Sequence, residues 1–127
     1  MDRETKDKLI DAAYHARFNA RVPTSGFKVG AALLTKEGEI ITGCNVEISS
    51  TLSSVCSERT AIVKAVSMGY DKFVAIAVVS DSDKPISPCG FCRQYLADFG
   101  KDIIVIMANR DRDKVVEMTA GELLPMS

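Results

Sequence analysis

The sequence predicts an α/β fold: one mixed β-sheet with helices packed on its faces. Three observations lead there. Phe73 to Val79 and Ile103 to Met107 are continuous apolar runs, rich in β-branched residues, and read as strands covered on both sides. Segments with apolar residues at helical spacing stand before, between and after the strand-like ones. No internal repeat, low-complexity tract or linker divides the 127 residues, so residues 1–127 read as one domain.

The elements follow in order. From about Arg3 to Asn19 the chain reads as a helix whose apolar stripe is Leu9, Ile10, Ala13, Tyr14 and Phe18. Arg21 to Gly26, with Pro and Gly, reads as a loop. Val29 to Thr35 and Ile40 to Cys44 make a hairpin turned by Lys36-Glu37-Gly38-Glu39. Val46 to Val55 is Ser- and Thr-rich and suits a loop. A helix from about Cys56 to Met68 should bury Ala61, Ile62, Ala65 and Val66 and stop at Gly69. After the strand Phe73 to Val79, the polar, Pro-punctuated stretch Asp81 to Pro88 reads as a loop, with Asp81, Asp83 and Lys84 solvated. A third helix starts near Cys89 and ends before Gly100, with Tyr95, Leu96 and Phe99 facing inward. After the strand at Ile103 to Met107, Asn109 to Asp113 turns into a last strand at Val115 to Met118. Thr119-Ala120-Gly121-Glu122 has capping-box spacing and predicts a short helix through Leu124, stopped by Pro125. The order is α-β-β-α-β-α-β-β-α.

Composition narrows the function. Apolar residues are 46% and charged residues 26%, an ordinary globular balance. The net charge of -1 gives no sign of a phosphate-binding surface, so no nucleic-acid partner is expected. The charged start, Met1-Asp2-Arg3-Glu4, has no apolar stretch behind it, and no run is long enough to span a bilayer. A cytoplasmic protein without a membrane partner is expected. In that compartment disulfides are rare, so the four cysteines (Cys44, Cys56, Cys89 and Cys92) turn attention to metal or redox chemistry.

Cys89 and Cys92 lie in Pro88-Cys89-Gly90-Phe91-Cys92 at a predicted helix start. Two thiols three apart there can chelate one ion, and the positive end of the helix dipole favours the thiolate that zinc needs. A redox pair is the rival reading. Cys56, in Cys56-Ser57-Glu58-Arg59 at a second predicted helix start, shifts the balance towards metal. Three protein ligands leave one tetrahedral position for water, the pattern of a catalytic zinc site. Glu58, two residues beyond a ligand, can reach that water as a proton shuttle. The set matches the zinc deaminase signature, a ligand, any residue and Glu, followed by Pro-Cys-x-x-Cys. Three thiolates make such a site overly anionic, and Arg59 would counter this by hydrogen-bonding the sulfurs. The plainer reading of Arg59 is a surface arginine.

At this point the chain resembles the small homotetrameric cytidine deaminases, a group similar to the blasticidin S deaminases. The likeness runs through Phe27-Lys28-Val29-Gly30-Ala31-Ala32-Leu33, Gly43-Cys44-Asn45-Val46-Glu47, Cys56-Ser57-Glu58-Arg59-Thr60-Ala61, Ser87-Pro88-Cys89-Gly90-Phe91-Cys92-Arg93-Gln94 and Glu122-Leu123-Leu124-Pro125. It implies a three-layer α/β/α fold with a five-stranded mixed sheet, and a homotetramer whose sites are lined by several chains. It implies one Zn²⁺ per chain on Cys56, Cys89 and Cys92. Glu58 would carry protons from water to the pyrimidine and the leaving ammonia. Asn45 and Glu47 would bind the ribose hydroxyls, and Phe27 would pack on the pyrimidine.

Two departures bear on the substrate. Family members usually follow the Asn-x-Glu segment with Asn, one or two small residues, Tyr and Pro, where this chain has Ile48-Ser49-Ser50-Thr51-Leu52. They also carry an aromatic residue beyond Leu-Leu-Pro, where this chain has Met126-Ser127. Cytidine and deoxycytidine lead as expected substrates, a bulkier cytosine nucleoside comes second, and a non-catalytic zinc module is the remote alternative. Cys44 is expected to be a small buried residue and His15 structural or surface.

Overall fold

The structure, a computed structural model, describes residues 1–50, 53–88 and 90–123. Nine elements appear in the expected order: α1 (Arg3–Ala16), β1 (Val29–Thr35), β2 (Ile40–Cys44), α2 (Ser57–Ser67), β3 (Phe73–Ser80), α3 (Gly90–Phe99), β4 (Ile104–Ala108), β5 (Val115–Thr119) and α4 (Ala120–Leu123). The five strands form one sheet in the order β2-β1-β3-β4-β5. The β3–β4 pair is parallel, with α3 between the two in sequence, and the other neighbours are antiparallel, so the sheet is mixed as expected.

Alternation along the strands separates two cores. On one face Leu9, Ile10 and Ala13 of α1 pack against Ala32, Ala75, Ala77, Val79, Ile106 and Ala108. On the other, α2, α3 and α4 bring Ala61, Ile62, Ala65, Leu96, Ala120 and Leu123 against Ala31, Leu33, Ile41, Ile76, Val105 and Met107. Helix–sheet–helix layering is the result.

Local signals explain the boundaries. The Asp2 carboxylate accepts the Thr5 amide at 2.8 Å and caps α1. Gly69 follows α2 with φ +99°, a left-handed stop that a side chain would strain. At the start of α4, the Thr119 amide donates to Glu122 Oε1 at 2.8 Å and the Glu122 amide donates to Thr119 Oγ1 at 3.1 Å, the reciprocal pattern of a capping box. The predicted end of that helix, Leu124 and Pro125, lies outside the described residues, as do Met126 and Ser127.

Three inward assignments need correction. α1 ends at Ala16 and tightens into a 3₁₀ turn over Arg17–Asn19. Arg17, four residues after Ala13, continues the stripe and is 7% exposed, and the tighter winding leaves Phe18 outside at 53%. In α2, Val66 is 45% exposed beside Val63, because the face against the sheet runs through Ser57, Glu58, Ala61, Ile62 and Ala65. In α3, Tyr95 is exposed while Leu96 is fully buried and Phe99 packs on Phe73.

Candidate active site

The site is built where β1, β2 and β3 reach one end of the sheet. Beyond β2 the chain stays extended. Val46 exchanges backbone hydrogen bonds with Val55 at 2.9 and 2.8 Å, the Glu47 amide donates to Arg21 O at 2.7 Å, and the Arg21 amide donates to Asn45 O at 3.1 Å. An extended backbone turns alternate side chains the same way. Asn45 and Glu47 accordingly line one pocket.

Both side chains are already oriented. Asn45 Oδ1 accepts the Val29 amide at 3.0 Å and Asn45 Nδ2 donates to Phe27 O at 2.9 Å. One N–H and one lone pair are left over. The Glu47 carboxylate accepts the amides of Thr24 (3.2 Å) and Ser25 (3.1 Å) on Oε1 and the Ser25 hydroxyl (2.6 Å) on Oε2. The Ser25 hydroxyl and then its amide hold Glu47 below the ordinary 4.5 of a glutamate, with burial opposing and the Thr24 amide adding.

α2 points its N-terminus into the same pocket, and Gly43 sets how closely. A Cβ on Gly43 would stand 2.5 Å from Ala61 N and 2.6 Å from Ser57 O, so the helix lies directly on β2 only because the side chain is missing. Cys56 is the N-cap residue, and its side chain makes no capping hydrogen bond to the helix. Glu58, in the first turn, is 4% exposed, and its Oε1 accepts the Ser57 hydroxyl at 2.5 Å. Arg59 Nη2 donates to Ser54 O at 3.1 Å and so braces the segment leading into Cys56.

α3 begins three residues beyond Ser87, which with Ile86 lines the pocket. Cys92 sits in its first turn and is fully buried; Cys89, the residue before the helix, lies outside the described residues. Arg93 gathers the approach to α3, donating to Pro88 O (2.9 Å), Ser87 Oγ (2.7 Å) and Leu123 O (3.2 Å). The pocket has a volume of about 330 Å³, within the range of small-molecule sites. Cys56 and Glu58 lie on its wall with Asn45 and Glu47, and Val29, Val55, Val78 and Ile86 give it apolar surface. Phe27 contributes its carbonyl to the Asn45 clasp, but its ring is not among the described pocket-lining groups. Ile48, at the start of the divergent loop, is 43% exposed; Thr51 and Leu52 lie outside the described residues.

Sequence reasoning passed over several of these groups. Ser57 was visible only as the unassigned residue between Cys56 and Glu58. Ile86 carried no periodic signal inside a loop. Asp81, read as solvated, accepts the Arg17 guanidinium on Oδ1 and the Lys28 amide on Oδ2. Asp83 and Lys84 are exposed as expected, His15 is exposed, and Cys44 is half-buried.

The donor chemistry suits zinc. A soft sulfur occupies the N-cap of α2, where Ser, Thr, Asp and Asn are the usual residues, and it does not serve the helix as they do. A carboxylate with 4% exposure stands two residues on, in a position where a neighbouring cation would offset the cost of its burial. Among the described residues no three metal-binding side chains come together, and Cys89 is not one of them.

Comparison with known proteins decides the family. Residues 3–108 match the cytidine and deoxycytidylate deaminase zinc-binding region. The chain belongs to this family. Its zinc-binding character makes Zn²⁺ the cofactor. The cytidine deaminase of Halalkalibacterium halodurans is 48% identical over 126 residues, covering 98% of this chain and 92% of that one. The blasticidin-S deaminase of Bacillus cereus is 39% identical over 106 residues, covering 77% and 74%. Among solved structures, the cytidine deaminase from Burkholderia pseudomallei superposes with a TM-score of 0.92 at 43% identity, over 100% of this chain and 99% of the other. The five-stranded sheet is thus the fold of cytidine deaminases.

Proposed function

We propose that this protein hydrolyses the exocyclic C–N bond of cytidine and deoxycytidine, giving uridine or deoxyuridine and ammonia. The observation that carries the reading is the meeting of Cys56 and Glu58 with Asn45 and Glu47 on one pocket of about 330 Å³. Similarity to several cytidine deaminases along nearly the whole chain supports it.

Cys56, Cys89 and Cys92 would hold the zinc, which when bound supplies Lewis acidity and acidifies water. The work of the other residues follows from their surroundings. Glu58 takes one proton from the attacking water and delivers it to the pyrimidine ring nitrogen as the C4–O bond forms, then carries the second, from the hydroxyl on C4, to the amine as the C–N bond breaks and ammonia leaves; the Ser57 hydroxyl on Oε1 fixes the carboxylate and leaves Oε2 for proton transfer. The free N–H and lone pair of Asn45 and the Glu47 carboxylate bind ribose hydroxyls. Apolar Val29, Val55 and Val78 exclude water around the base. Arg59 steadies the thiolate end of α2, and Phe27 packs near the base.

Glu58→Ala is the test. It should keep about one zinc per chain and the fold while cytidine turnover falls by at least about a thousandfold, since proton transfer to both ring and leaving group passes through one carboxylate. Retained turnover removes Glu58 from this role, and freshly purified protein without zinc sinks the mechanism.

A second reading, a bulkier cytosine nucleoside as substrate, is favoured by the exposed Ile48 at the divergent loop and by the blasticidin-S deaminase relative. A panel of cytidine, deoxycytidine and blasticidin S separates the two. The reaction suits pyrimidine salvage. A cytoplasmic location remains part of this proposal; no described helix is long and apolar enough to cross a membrane. Exposed Val63, Val66 and Met68 on and just after α2 suit burial in a homotetramer, checked by sedimentation of the zinc-loaded protein.

A further inference from the structure

We infer that Arg17 and Asp81 form a positioning pair that sets nucleoside affinity from outside the pocket; the inference rests on the proposed contact between Asn45 and the ribose. Arg17 belongs to the 3₁₀ turn after α1 and is 7% exposed. Its guanidinium carbon lies 4.5 Å from the Tyr14 ring centre and 4.8 Å from that of Phe18. Arg17 Nη1 donates to Asp81 Oδ1, and among the described residues its Nε has no hydrogen-bond partner. A buried guanidinium so placed has one anion to answer it, and removing that anion leaves a desolvated charge.

Asp81 divides its carboxylate. Oδ1 takes Arg17, and Oδ2 accepts the Lys28 amide at 2.8 Å. Lys28 lies between the two residues that grip Asn45: Phe27, whose carbonyl accepts Asn45 Nδ2, and Val29, whose amide donates to Asn45 Oδ1. A continuous chain of hydrogen bonds thus runs from a buried arginine, through the residue that follows β3, to the amide that would meet the sugar. Each link restricts the next. Arg17 fixes the Asp81 rotamer, Asp81 fixes the peptide before β1, and that peptide presents Asn45 with one N–H and one lone pair facing the pocket. None of the three side chains of this relay supplies chemistry at the base, so its effect falls on binding.

The experiment compares Asp81→Asn and Arg17→Lys with the wild type. An asparagine offers one oxygen and serves either Arg17 or Lys28, not both. A lysine keeps the charge and loses the planar fork. Both variants should raise KM for cytidine roughly tenfold with kcat within about twofold, while the inhibition constant of 2′,3′-dideoxycytidine, which lacks the sugar diol, changes less than about twofold. Amide exchange in the protein without substrate reads the relay independently. Lys28 and Val29 should exchange about tenfold faster in Asp81→Asn, with Ala32 and Leu33 unchanged.

Equal losses for cytidine and the dideoxy analogue, a fall in kcat at constant KM, or unaltered exchange at Lys28 would each overturn the inference. So would failure of both variants to fold, which would make the pair a stability element only. If the wild type does not turn over cytidine, the functional reading fails by itself, and exchange at Lys28 and Val29 still decides whether the relay exists.

Discussion

Glu47 and Glu58 face one pocket from opposite kinds of surroundings. Glu58 is almost wholly enclosed, with a serine hydroxyl on one oxygen; Glu47 sits nearer the rim with three donors from Thr24 and Ser25. Those donors favour the charged form of Glu47 and hold its proton affinity below that of an ordinary glutamate. The consequence for stability has a definite sign. A carboxyl group whose affinity is depressed by folding contributes fully above its unfolded value of 4.5 and loses that contribution as pH falls through the lower folded value. The stability difference between wild type and Glu47→Gln should therefore be constant from neutral pH to about 4.5 and shrink below it, as followed by urea melts at stepped pH. A difference that grows on acidification would contradict the hydrogen-bond assignment.

At the scale of the elements, two glycines govern how near the helices come. Gly30 admits α1, since a Cβ there would meet Ala13 O at 2.0 Å; Gly43 admits α2. Gly43→Ala forces the helix carrying Cys56 and Glu58 away from β2. It should cost about 1–3 kcal/mol or more, seen as a melting temperature lowered by roughly 5 °C or more, and it should lower zinc content as well. Unchanged zinc and melting would mean that α2 yields without cost. Much of this level was legible in the sequence. Gly69, the Thr119–Glu122 box and the hairpin turn act through contacts within a few residues, so local reading found them. What escaped depended on distant partners. Arg17 occupies an apolar-stripe position four residues after Ala13, yet its burial makes sense only beside Asp81, which is 64 residues away. Periodicity turns Phe18 and Val66 inward because it gives the face of an ideal helix, and neither the 3₁₀ turn nor the width of the covered face is written in it. In the site, the Cys-x-Glu and Pro-Cys-x-x-Cys spacings were readable because a zinc chelate with a carboxylate beside it would demand them; Ile86 and Ser87, in the segment between β3 and α3, carry no such spacing.

For the whole molecule, the proposed zinc links α2 to the start of α3, two elements separated in sequence by the central strand β3. A ligand that binds only the folded chain stabilises it by mass action: free zinc at about 100 times Kd contributes about 2.7 kcal/mol. Chelation should lower the melting temperature by roughly 10 °C and loosen both helices together, while α1 and its half of the core keep their amide protection. A chelator-treated protein with an unshifted melt would show that Cys56, Cys89 and Cys92 do not share an ion.

The strands also give the molecule a direction. Val29, Asn45, Val78 and Ser80, all at or next to one end of the three-stranded half of the sheet, meet at the pocket, whereas the hairpin turn at Lys36–Glu39 closes the other end. Five residue steps along β1, about 17 Å at roughly 3.4 Å per residue, separate Val29 from Leu34 next to that turn. Glu37 and Gly38 are exposed, and Gly38 at φ +95° already departs from strand geometry. A fluorophore, affinity handle or surface tether joined at this tip would hang from the blunt end of the protein, leaving the mouth of the pocket open to small molecules diffusing in from the opposite side.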